Sequence, residues 1–177
     1  MTLKHTRIRN DKKNTMTVAI EDFKKGLKLW ASGVAVVTTN SETSGAQGMT
    51  VTAFSSVSVD PPLILVCINE AADTGDGIRE SQSFAVNFLT AGQEAVSNQF
   101  AGGCSQQERF ENVSWNTATT GAPIIDDSLA SLDCKVVQQV RAGTHWVIIG
   151  EVQEVLCRSG EPLLYYSSAY RELQSAD

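Results

Sequence analysis

The sequence predicts a single, mainly β domain of the barrel or sandwich type, and three stretches carry that prediction. Between Phe54 and Pro62, Val57 and Val59 alternate with Ser56, Ser58 and Asp60, which is the period of a half-buried strand. Pro61-Pro62 ends that strand, because proline has no N–H to give to a ladder. Residues 63–68, Leu-Ile-Leu-Val-Cys-Ile, are continuously apolar over a strand's length and predict a strand buried on both faces. Residues 128–140 and 144–155 read as two long strands joined through Gly143. Many strands and few helices leave a barrel or a sandwich; periodicity does not choose the strand order.

The elements follow in order. Ile20, Phe23, Leu27 and Trp30 fall at i, i+3, i+7 and i+10, one face of a short helix that stops near Gly33. Val34 to Thr39 is β-branched and reads as a strand, and the polar stretch 41–48, with two glycines, reads as a hairpin loop. Gly48 to Pro62 is then a strand, a hydroxyl-rich bend and a second strand. Asp73-Thr74 offers a helix N-cap before Ile78. Phe84, Val86 and Phe88 alternate along a strand on which Asn87 is a lone polar residue. Residues 92–101 read as a helix with Val96 and Phe100 at i, i+4. Leu163 to Ser167 is a last short strand, and a helical tail is expected from Tyr170.

Composition bounds the function. The 177 residues fit one domain with a sizeable core, 42% hydrophobic and 19% charged. A net charge of −6 argues against a broad nucleic-acid surface, and no apolar run is long enough for a membrane span. Lys4, Arg7, Arg9, Lys12 and Lys13 stand against Asp11 alone, without an apolar segment or cleavage site, so residues 1–19 read as a disordered extension. The domain then runs over 20–173, with a short tail at 174–177. Cys67, Cys104, Cys134 and Cys157 are far apart, which argues against a zinc or redox pair and fits a reducing cytoplasm. With two histidines in the chain, a His-rich metal site is excluded.

Several catalytic signatures are missing. No Gly-x-Gly-x-x-Gly follows a strand, no Gly-Lys-Ser/Thr loop occurs, and Gly-x-Ser-x-Gly is absent. What remains is the hydroxyl-rich bend within 48–62, where backbone N–H and hydroxyl donors share a small volume suited to an anionic or carbonyl-rich ligand; composition alone favours the other reading, a solvated strand pair with Ser and Thr facing water.

The run GMTVTAFSSVSVDPPLILVCIN resembles the signature of the short-chain flavin reductases. The stretches FAVNFL, GTHWVIIGEV and PLLYYSSAYREL follow in the family's order, over residues 20–173. The resemblance implies a split β-barrel that binds FMN or FAD, with a few short flanking helices. It implies hydride transfer from NADH or NADPH to the flavin. That chemistry belongs to the cofactors and needs no catalytic triad, only two flat rings held in contact. By the same resemblance Thr50, Val51, Thr52 and Ala53 line the flavin, with Ser55 as a further candidate; Asn69 and Asn87 read either as ligand amides or as structural ones, Asn87 equally as a satisfied turn or barrel residue. His145, in the Gly-x-His of GTHWVIIGEV, faces the nicotinamide side and positions it.

One departure stands out. Relatives carry a basic residue and then a serine at the flavin phosphate, where this chain has Glu70 and Ala72. A carboxylate repels phosphate, so the phosphate role passes to Thr74 at a helix N-terminus, with Arg79 or Arg109 supplying charge. The resemblance further implies a homodimer and a transient oxygenase component that takes the reduced flavin. A flavin-binding module without turnover and a plain β-barrel interaction protein are the competing readings.

Overall fold

The computed structural model describes residues 18–174. The expectations for residues 1–17 and 175–177, the basic extension and the end of the tail, lie outside the described residues.

Helix α1 (Ile20–Leu27) comes first. Its apolar stripe faces away from the body: Ile20, Phe23, Leu27 and Trp30 are all more than half exposed. After the short β1 (Ser32–Gly33), β2 (Ala35–Ser41) and β3 (Gly45–Val51) form a hairpin whose turn is shorter than the 41–48 loop expected. β4 (Phe54–Ser58) pairs with β5 (Leu63–Asn69). The double proline does stop β4, and the Asp60–Pro61 peptide is cis.

Helix α2 (Asp73–Ser81) has Ala72 as its N-cap with no side-chain capping bond, so the expected Asp73-Thr74 cap is not formed. β6 (Ser83–Phe88) and α3 (Glu94–Phe100) fall where the periodicity predicts. A helix the sequence reading missed, α4 (Gln106–Phe110), starts on a capping box between Ser105 and Glu108. β7 (Trp115–Thr117) and β8 (Pro123–Ile125), also missed, form a small ribbon. The two long strands are β9 (Ala130–Ala142) and β10 (His145–Cys157). β11 (Leu164–Tyr166) and β12 (Ala169–Arg171) close the chain as a hairpin, in place of the helix expected from Tyr170.

The main sheet runs β3-β2-β6-β9-β10-β5-β4. Its two edge strands, β3 and β4, are joined by Thr52 and Ala53 alone. Three Cα steps reach no further than roughly 11 Å, so the sheet has to curl enough to bring the Val51 end of β3 near the Phe54 end of β4. Its concave face encloses Ala35, Val37, Val66, Ile68, Phe84, Val86 and Ile148. Gly150 is required there: a Cβ would lie 2.5 Å from the Phe84 ring. Helix α2 covers part of this layer, with Ile78 fully buried.

β6 and β2 are each buried on both faces. Ala35 and Val37 point into the first core, while Val34 and Val36 join Leu89, Phe100, Ile125 and Leu163 in a second. β5 corrects the sequence reading. Ile64, Val66 and Ile68 are buried, but Leu63, Leu65 and Cys67 on the other face are half-buried. Val57 and Val59 are also exposed, 45% and 95%, because β4 is an edge strand with a register shift between Ser56 and Ser58.

Candidate functional site

The bend sits where the curled sheet leaves its edges open. Val51 pairs with Ala35 at the end of β3, and Phe54 pairs with Val66 at the start of β4. Between them Thr52 and Ala53 are exposed. Their carbonyls are used: Phe54 N–H donates to Thr52 O at 3.2 Å, and Cys67 N–H to Ala53 O at 3.1 Å. Their N–H groups and the Thr52 hydroxyl donate to no protein acceptor among the described residues. Exposed donors held between two strand ends can meet a ligand without breaking a protein bond. Thr50 differs, since its hydroxyl donates to Ser97 O at 2.6 Å and so ties β3 to α3.

Two clefts meet at the bend. The first, about 370 Å³, lies between Thr50, Val51 and Thr52, α3 at Ser97 and Asn98, and Tyr170. Its far wall is fixed by the Tyr170 hydroxyl, which bonds Ser97 Oγ at 2.9 Å and Asn98 Oδ1 at 2.8 Å. The second, about 570 Å³, runs from Thr52, Ala53 and Phe54 to α1 and the β11–β12 hairpin. Thr52, Tyr165 and Ser168 line both. Clefts of this size suit a cofactor-sized molecule.

His145 reaches the neighbourhood by strand register. Ala53 lies beside Cys67; Cys67 is opposite Val147, and Asn69 is opposite His145. Directly opposed residues share a sheet face, and so do residues two apart on a strand. Ala53, Cys67, Asn69, Val147 and His145 therefore share the convex face, with His145 roughly 12 Å from Ala53 by strand spacing. His145 is exposed, and its Nδ1 is 3.1 Å from Thr144 Oγ1, which leaves Nε2 outward.

The other sequence candidates part company. Asn69 is exposed, and its Oδ1 accepts from Ala71 N–H at 2.9 Å, so its amide N–H₂ remains for a ligand. Ser55 is on the same convex face but bonds the adjacent Ser56 O at 3.0 Å and lines neither cleft. Thr74 is fully buried inside α2's contact with the sheet, with Oγ1 unpartnered, so it is not at an accessible helix end as a phosphate ligand has to be. Asn87 is fully buried as well: Nδ2 donates to Val36 O and Thr38 Oγ1, while Oδ1 accepts from Ile125 N–H and Ser131 Oγ. Both placements have one cause, which is that side-chain polarity says nothing about which way a strand or helix residue points.

Glu70 is also recast. Its carboxylate is 2.6 Å from Arg141 Nη2, so the charge beside Asn69 and His145 is paired. Arg79 stacks over Trp146 at 5.2 Å and pairs with Asp76, while Arg109 donates to Gly48 O through Nη1 and keeps a buried Nε with no partner among the described residues. Burial raises the Cys67 thiol above its ordinary value. Burial first, then the neighbouring Asp133 carboxylate, pushes Cys134 up to about 12. Neither sulfur is a thiolate at neutral pH, so thiolate nucleophile chemistry is not on offer at either. Sequence reasoning missed Trp30, Tyr165 and Ser168 as cleft residues; the signal was Ser167-Ser168 between two tyrosine-bearing strands, a turn that folds Tyr165 back over the bend.

Comparison with known proteins agrees with this geometry. The family model described as flavin reductase like domain matches residues 27–174. An FMN reductase (NADH) RutF of Pseudomonas syringae pv. syringae (strain B728a) is 41% identical over 159 residues, 89% of this chain and 87% of its own. Among solved structures, the flavin reductase PheA2 in its native state superposes with a TM-score of 0.82 at 36% identity, covering 89% of this chain and all of that one. BorF, the flavin reductase component of a bacterial two-component tryptophan halogenase, gives 0.80 at 30%, covering 88% and 99%. The chain belongs to the flavin reductase like domain family.

Proposed function

We propose that this chain is a flavin reductase that passes hydride from NADH to FMN or FAD and releases the reduced flavin to a separate oxygenase component. The observation that carries the reading is the pair of free N–H groups at Thr52 and Ala53, on the edge of the convex face that also holds His145. The donor set fits a flavin: exposed N–H groups and a hydroxyl match the carbonyl-rich edge of the ring, and no acidic side chain lines either cleft at the bend. Bound flavin supplies the two-electron acceptor chemistry. The Thr52 and Ala53 N–H groups would hold the ring edge, where backbone donors favour negative charge. His145 Nε2, outward on the same face, would orient the nicotinamide against the ring, a positioning role that needs no proton transfer. Asn69 gives a further amide donor between them.

The same reading takes the curled sheet as the family's split β-barrel and the chain as a homodimer. Leu65, Cys67, Val147 and Ile149 are half-buried apolar residues on the convex face, and Val140 beside them is 44% exposed, so a second copy laid there covers what one chain leaves open. A reducing cytoplasm is the compartment that suits four free cysteines.

Pure protein mixed with FMN and NADH tests the reading: the nicotinamide absorbance band should fall catalytically, and NADPH in a parallel cuvette ranks the two donors. A yellow protein that leaves NADH untouched makes it a flavin-binding module instead. Sedimentation at micromolar protein should give the dimer mass, and a single monomer boundary defeats the homodimer.

A further inference from the structure

The second cleft has a composition that the flavin ring alone does not explain. Lys24 and Lys28 lie one turn apart at the end of α1, the spacing that puts two side chains on one helix face. Both line the cleft, and no Asp or Glu lines it with them, in a chain whose net charge is −6. Lys24 Nζ is 3.4 Å from Glu21 Oε1 with both side chains well exposed, a weak pair, and Lys28 has no ion pair among the described residues. Aromatic side chains line the same cleft, and Tyr165 among them already meets Tyr170 edge-on at 5.5 Å. Trp30 is 77% exposed, and Tyr165 and Tyr166 are about one-third exposed. Two cations beside open aromatic faces select a flat heteroaromatic group that carries a phosphate chain.

Position narrows the ligand. This cleft shares Thr52, Tyr165 and Ser168 with the first, so whatever fills it is in reach of a molecule held at the bend. The two volumes together, about 370 and about 570 Å³, accommodate more than one flat group.

We propose that the α1 cleft is a subsite for an adenosine diphosphate moiety, with Lys24 and Lys28 on the diphosphate and Trp30 or Tyr166 against the adenine. The inference rests on the flavin reductase reading, because the adenosine diphosphate moiety is common to FAD and to NADH. It makes the end of α1 the part of the chain that distinguishes a dinucleotide from a mononucleotide.

The test is equilibrium binding, with the full chain and the double variant K24A/K28A compared by titration with FMN, FAD, ADP-ribose and NADH. ADP-ribose, which lacks both reactive rings, should bind the parent chain and lose about tenfold in affinity in the variant, while FMN is unchanged. If FAD weakens in step with ADP-ribose and NADH does not, the subsite takes the flavin's tail. If NADH weakens and FAD does not, it takes the nicotinamide dinucleotide. Trp30→Leu should weaken ADP-ribose and leave inorganic pyrophosphate untouched, which separates stacking from charge. Equal losses for FMN and ADP-ribose overturn the proposal, because the lysines then hold the phosphate next to the flavin ring. Unchanged binding of all four ligands overturns it too, as does a shift in sedimentation that accounts for the losses, since the cleft is then covered by a second copy. If the parent chain binds ADP-ribose through the lysines yet neither binds flavin nor oxidises NADH, the subsite stands and the flavin reductase reading falls.

Discussion

Asn87 and the Thr50–Ala53 bend are both polar islands among β-formers, and a sequence treats them alike. In the fold they are opposites. Asn87 has no exposed surface, and both ends of its amide bond β2, β8 and β9. Thr52 and Ala53 are exposed, and their N–H groups have no protein partner among the described residues. Hydrogen bonding is a matter of complete accounting, and the account separates a residue that holds the fold from one that awaits a ligand. Thr50 stands between the two, in the bend but with its hydroxyl spent on Ser97 O.

The hardest test of that contrast is Asn87→Leu. The change keeps the volume close but strands the Ile125 N–H and the Ser131 hydroxyl in a dry site, while the Thr38 hydroxyl keeps its bond to Pro123 O. Each buried unsatisfied group costs about 1–3 kcal/mol, so urea unfolding should show a loss of about 3 kcal/mol or more. The folded fraction should bind FMN as the parent does. A variant with parental stability and weaker FMN binding would return Asn87 to the cofactor site and break the comparison.

His145→Ala comes next in size. His145 sits two strands from the bend and makes one side-chain hydrogen bond among the described residues, with Thr144 Oγ1 at 3.1 Å, so its removal should leave stability and flavin affinity nearly unchanged. Hydride transfer should slow, by up to about 100-fold if the nicotinamide shifts by an ångström, and the NADH Michaelis constant should rise. His145→Asn keeps a donor without the charge, so partial rescue marks positioning. A step lost from the pH profile with no rescue by Asn would mark a charged role instead. Loss of flavin binding in His145→Ala would put the residue on the wrong side of the contrast.

These outcomes bear on what a sequence reveals. Elements whose burial is set by local pattern were legible: β2, β6, the long β9–β10 pair and the proline stop after β4 all lie where periodicity and turn residues put them. The family signature carried the location of the bend. Burial of both faces of β5 was not legible as it stands, because a continuous apolar run looks the same whether a second face meets this chain or another copy. The burial of Thr74 was hidden for a related reason. A helix N-terminus attracts anions only if solvent reaches it, and α2 lies with Thr74 and Ile78 turned into the sheet. The α1 lysines and the Tyr165–Ser168 hairpin were invisible as a cleft, since about 140 residues separate them and only the fold brings them together. Glu70 looked like an obstacle to phosphate because its partner, Arg141, lies far along the chain.

The smallest expected effect is the most direct probe of the bend. Thr52→Val keeps the β-branched shape and the backbone N–H, and removes only the hydroxyl. That hydroxyl has no protein acceptor among the described residues, and the residue is exposed, so the melting temperature should stay within a degree or so of the parent. If the hydroxyl meets the flavin, the variant loses one hydrogen bond of about 0.5–1.5 kcal/mol, which is a two- to tenfold rise in the flavin dissociation constant. Thr50→Val is the control within the same four residues. It deletes a bond to Ser97 O inside the protein, so it should lower stability by about 1 kcal/mol and change flavin affinity less than Thr52→Val does. If the two variants behave alike, the bend does not divide into a structural and a ligand-facing half. If Thr52→Val leaves flavin affinity untouched while Thr50→Val weakens it, the flavin lies in the first cleft against α3, and the roles of the two threonines are exchanged.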